Sequence, residues 1–85
     1  MGNKFIVLFP SVHEVFKAEK ALKERGIRCD LVPVPKKIST SCGMAVELDE
    51  DGAREIPELA RRYGFEWHGI YRMQGPEFVR IQAAG

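Results

Sequence analysis

The chain has 85 residues, with 13 Lys+Arg against 12 Asp+Glu and a net charge of +1. That length makes one small domain. The even charge balance excludes a bulk electrostatic footprint for nucleic acid or an anionic membrane. An apolar share of 45% excludes a disordered chain, and two cysteines are too few for a disulfide-stapled scaffold.

Phe5 to Phe9 is apolar at every position and stops at Pro10. Such a run predicts a central strand covered on both faces. It is too short for a signal h-region or a membrane span. The expected setting is a reducing cytoplasm with free thiols.

Ser11-Val12-His13-Glu14 then fits a capping box, the Ser11 hydroxyl serving a first-turn amide and Glu14 reaching back to the Ser11 N–H. Behind it Val12, Val15, Phe16 and Leu22 share one helical face, with Ala18 and Ala21 at its margins. Gly26 supplies the stop.

Ile27 to Val34 alternates as a strand, with Ile27, Cys29 and Leu31 on one side. Pro33 and Pro35 cannot donate to a ladder, so the strand belongs at an edge or ends there. After the polar loop Lys36 to Cys42, the residues Gly43 to Leu48 resume the alternation. Asp49-Glu50-Asp51-Gly52 reads as a turn with acids suited to a helix start. Ile56, Leu59, Ala60 and Tyr63 follow at helical spacing. Pro57 fits only a first turn, which puts the start of the regular helix near Arg54 or later. Phe65 to Met73 is the last main strand, in which Gly69 marks a bulge or a close contact. Beyond the turn Gln74-Gly75-Pro76, Glu77 to Ile81 can add a short edge strand.

The order strand, helix, strand, strand, helix, strand predicts an α+β, ferredoxin-like split βαβ fold. It has an antiparallel sheet with two helices on one face. Residues 1–85 form a single domain, with a core of about 4–73 and a tail of 74–85. The other sheet face is apolar too, built from Ile6, Leu8 and some of Ile70, Phe78 and Val79. It needs a cover, from the tail or from a partner. Twelve tail residues cover little, which favours a homodimer through the open sheet face, or a partner docked on it, over a tail-covered monomer.

The segment Val32-Pro33-Val34-Pro35-Lys36-Lys37-Ile38-Ser39-Thr40-Ser41-Cys42-Gly43 is the candidate site. The prolines hold its approach extended. The hydroxyls of Ser39, Thr40 and Ser41 can donate to a thiolate or persulfide on Cys42. Lys36 and Lys37 favour that anion if the loop folds back. Gly43 offers a positive φ or a close backbone approach. The plainer reading also stands: a Cys-Gly pair at a strand entrance is a small residue beside a turn, with solvated lysines. Cys29 shares the face of Ile27 and Leu31 and reads as a buried structural thiol. His13 and His68 stand apart in sequence and form no metal motif with the cysteines. No cofactor motif, phosphate loop or hydrolytic triad is present.

The run Val32-Pro33-Val34-Pro35, Ile38-Ser39 and Ser41-Cys42-Gly43-Met44-Ala45-Val46 resembles the Putative Se/S carrier protein-like family, a small bacterial domain family of unknown function. The opening strand ending Phe9-Pro10-Ser11 and a helix with Ala18-Glu19 and Leu22 resemble it as well. The likeness spans roughly residues 4 to 72. It implies a carrier of sulfur or selenium on Cys42, or at most a sulfurtransferase-like protein. Donor and acceptor proteins would be its partners, with no metal, nucleic acid or membrane. The alternative is a binding or regulatory module, or a structural subunit, with no thiol chemistry.

Overall fold

Alternating and helical patterns in the chain become seven elements. The computed structural model describes residues 4–38 and 43–83. In order they are β1 (Phe5–Leu8), α1 (Val12–Glu24), β2 (Cys29–Pro33), β3 (Met44–Leu48), α2 (Glu50–Tyr63), β4 (Gly69–Gln74) and β5 (Glu77–Ala83). The five strands form one sheet in the order β2-β3-β1-β4-β5, with every pair antiparallel. The first four strands have the ferredoxin-like order, and β5 extends it by a hairpin. The turn of that hairpin requires positive φ at Gly75, 61°.

Strand alternation sorts the side chains into two layers. Phe5 and Val7 of β1, Val46 and Leu48 of β3 and Ile70 of β4 share one face and join the helices in the main core. Ile27, Cys29 and Leu31 pack against its margin. Ile6 and Leu8 point the other way, beside Ala45, Tyr71 and Gly69. Of the three candidates for the second apolar face, the register puts Phe78 there and Ile70 and Val79 on the helix side.

Helix α1 buries Val15, Ala18, Ala21 and Leu22. Val12 and Phe16, predicted to centre that face, are 44% and 53% exposed. Small Ala18 and Ala21 let the helix lie close to its neighbours, which turns the bulkier pair outward. The capping box is not formed either. Ser11 is the N-cap in extended backbone, but its side chain makes no capping bond. Glu14 is used elsewhere: its Oε1 accepts from the Glu66 N–H at 2.8 Å. A long-range bond to the segment before β4 has displaced the local one.

Helix α2 starts earlier than Pro57 suggests. Asp49 is its N-cap, accepting from the Gly52 N–H at 2.9 Å, and Pro57 sits inside the helix. An interior proline costs about 3 kcal/mol. Burial of Gly52, Ala53, Ile56 and Leu59 on both sides of it outweighs that cost. Gly52 is needed where it stands. A Cβ there would meet Leu48 Cδ1 at 2.8 Å and Ile27 Cγ2 at 3.0 Å.

Strand β4 begins at Gly69, so Phe65 to His68 form its approach. Phe65 is buried in the core and His68 donates its N–H to Leu8 O at 2.7 Å. The sheet irregularity falls at the Ile70/Tyr71 step, where Ile70 pairs with Gln82 and Tyr71 with Arg80, and Ile81 is the extra residue. Gly69 itself marks a close approach: a Cβ there would lie 3.4 Å from Gln82 O.

The cysteine-bearing connection as candidate functional site

Residues 34–43 link β2 to β3, and their ends are tied together. Val34 N donates to Gly43 O at 3.1 Å, directly beyond the Pro33–Met44 pair. Inside the connection, Ile38 N donates to Pro35 O at 3.0 Å and closes a turn over Lys36 and Lys37. Prolines 33 and 35 restrict the entry, so these few bonds hold the path of the chain.

The connection does not stand away from the sheet. It leaves the end of the sheet that holds Leu8, because Leu8 pairs with Ala45. The Gly75-Pro76 turn lies at the opposite end, beyond the Phe5–Arg72 pair. Yet Lys37 Nζ donates to Pro76 O at 2.7 Å. The segment therefore folds back across the sheet, over the face that the helices leave free. Val34, Pro35 and Ile38 are half-buried along it. Beneath, Ile6 is only 2% exposed and Ala45 is fully buried. Residues 34–38 of the connection contribute to the cover that the sequence assigns to the tail or to a partner, while the tail forms β5. A buried Ile6 removes the reason for placing a second copy on that face.

Of the predicted site residues, Lys36, Lys37 and Gly43 are described and exposed. Ser39, Thr40, Ser41 and Cys42 lie outside the described residues. Lys37 has its ammonium on the Pro76 carbonyl. Gly43 does not have positive φ. Among the described residues, only Val34 Cγ2, at 3.9 Å, comes within 4 Å of an added Cβ there. The positive φ expected of this glycine is not found, because Gly43 already runs into the extended backbone of β3. No sequence signal points to the Pro76 carbonyl as an anchor. Its turn is readable, but no local pattern links it to a lysine 39 positions away.

Cys29 sits on the helix side of edge strand β2, half-buried at the margin of the core. Burial pushes its thiol pKa up, Glu19 and Asp30 add to the rise, and Lys23 opposes it. A thiol held protonated is a poor nucleophile. His13 and His68 are exposed. Among the described residues no three His, Cys, Asp or Glu side chains gather as metal ligands, and no helix is long and apolar enough to cross a membrane.

The chain matches the family described as Putative Se/S carrier protein-like over residues 4–72. The chain belongs to that family. The match spans β1 through most of β4 and includes the whole β2–β3 connection. Comparison with curated proteins and with solved structures gave no match. The family name describes a carrier, and a carrier works through partner proteins.

Proposed function

We propose that this protein carries sulfur or selenium on Cys42, as a persulfide or a selenosulfide, between a donor and an acceptor protein. The observation that carries the reading is the family match, which includes the connection bearing Cys42. The other thiol is a weak competitor, since burial keeps Cys29 protonated.

Loading is a nucleophilic displacement. The Cys42 thiolate attacks the outer sulfur of a donor persulfide. A new S–S bond forms on Cys42, the donor's S–S bond breaks, and the donor leaves as a thiolate. Unloading repeats the step with an acceptor thiolate attacking the outer sulfur of Cys42, which departs as the thiolate. No net oxidant or reductant is consumed. Selenium follows the same path with a selenium atom in the outer position. Ser39, Thr40 and Ser41 donate to the anion, Gly43 leaves the far side of the cysteine uncrowded, and Lys36 adds positive charge. Lys37 fixes the connection at Pro76 and joins Lys36 when that bond opens. Such chemistry needs reduced thiols, which suits the cytoplasm.

Intact mass after incubation with a small-molecule persulfide donor tests the reading. Wild type and Cys29→Ala gain one sulfur atom, and Cys42→Ala gains none while remaining folded. Ser39→Ala or Ser41→Ala lowers loading partly, since one hydrogen bond to an anion contributes about 1–3 kcal/mol. Equal loading of wild type and Cys42→Ala refutes the role.

A further inference from the structure

The helix layer is shifted toward one edge of the sheet. Helix α1 packs mainly on β2 and β3, and α2 mainly on β1. Strand β5 lies at the edge beyond α2, and a groove is left between the two. Phe5, Ala53, Ile70 and Ile81 give it apolar walls. Its charged lining is Glu50, Arg54 and Arg72. The first two cancel, since the Arg54 guanidinium donates to Glu50 Oε2 at 2.9 Å. Arg72 is left over. It pairs with Phe5 across the β1–β4 ladder, so its side chain stands on the helix side of the sheet, where it is half-buried. Its described bond goes to a neutral amide, Gln74 Oε1, at 3.2 Å. Among the described residues no carboxylate stands within ion-pair distance of it. A guanidinium stays charged at any ordinary pH, and its planar fork matches a carboxylate. A surplus positive charge beside apolar walls suits a monoanion with a hydrocarbon part.

We propose that this groove binds a small aliphatic monocarboxylate, with its carboxylate on the Arg72 guanidinium and its chain against Phe5, Ile70 and Ile81. The inference is independent of Cys42. Size sets the class of ligand. The groove holds about 120 Å³, whereas sites for drug-sized ligands start at about 300 Å³. At roughly 30 Å³ each it has room for about four waters, which a carboxylate carrying a few carbons replaces. A nucleotide is too large. An inorganic oxyanion meets the charge but leaves the apolar walls unused, and removing those walls from water is what favours a chain.

Titration of the isotopically labelled full chain with sodium butyrate, followed by amide NMR shifts, tests this. Butyrate is expected to shift the amides of Ala53, Ile70 and Arg72, saturating at roughly millimolar concentration. Butyramide has the same shape without the charge. It is expected to bind about tenfold more weakly, and so is butyrate to Arg72→Gln, the loss of one charge-assisted contact. Acetate, without the chain, is expected to bind more weakly than butyrate. Shifts that fail to saturate, or that sodium chloride at equal concentration reproduces, overturn the proposal. So does butyramide or acetate binding as tightly as butyrate, or an Arg72→Gln variant that binds like wild type. Should that variant fail to fold, the comparison of butyrate with butyramide on wild type decides.

Discussion

The two faces of the sheet are covered by different materials, and the difference separates stability from candidate chemistry. One face carries two helices that bury Leu22, Ile56 and Leu59. Those helices hold their own backbone bonds internally, so their cover is rigid. The other face is crossed by residues 34–38, held by the Val34–Gly43, Ile38–Pro35 and Lys37–Pro76 bonds. The described residues 34–38 belong to no helix or sheet ladder, and such a segment opens at lower cost than a helix. Cys29 sits at the margin of the first kind of cover, and a structural thiol suits a rigid layer.

The largest expected effect comes from the helix-covered face. Leu22→Ala removes a fully buried side chain from between rigid elements, and chemical denaturation is expected to show a loss of about 4 kcal/mol. Ile6→Ala, on the loop-covered face, is expected to cost about 2 kcal/mol, because the connection can settle into the space more readily than a helix can. Equal losses at the two positions break the comparison and mean that the connection is as rigid as a helix.

A smaller effect sharpens it. Lys37→Ala removes an exposed bond, so its stability cost is expected to stay under about 1 kcal/mol. Its readout is local: amide exchange at Val34 and Ile38 quickens, while that of α1 and α2 is unchanged. If Cys42 is the carrier, its alkylation quickens as well. No change at Val34 and Ile38 means that the Pro76 anchor is not what holds the connection.

The smallest effect concerns Cys29. Its folded pKa is raised, so on raising the pH the unfolded chain loses this proton first and stability falls. The fall begins near the ordinary thiol value of about 8.5 and ends once the folded thiol has ionised. It is expected to vanish in Cys29→Ala, leaving a flatter alkaline limb in denaturation midpoints against pH. At neutral pH iodoacetamide is expected to label Cys29 slowly. Rapid labelling of Cys29 in Cys42→Ala contradicts a thiol shielded by the helix side.

Much of this fold is legible in the sequence because its signals are local. The run Phe5–Leu8, the period-two pattern of Met44, Val46 and Leu48, and the prolines that send β2 to an edge each depend on near neighbours. The same locality misled where distant groups compete. Glu14 looked bound to the Ser11 amide but serves Glu66, and Pro57 looked like a helix boundary but is carried by packing on both sides. Val12 and Phe16 have the right spacing for a buried face, yet close helix packing selected Ala18 and Ala21 instead.

The candidate site divides in the same way. Sequence alone determined which residues make the connection 34–43 polar, cysteine-bearing and stiff at its entry, since residue type and proline geometry are properties of the chain itself. Only the tertiary structure decided where that connection goes. The path of its first residues, 34–38, rests on an ammonium meeting a carbonyl 39 residues away, and on two helices occupying the opposite face. No local pattern encodes such a meeting, because it exists only once the sheet order has brought the two ends of the molecule within reach.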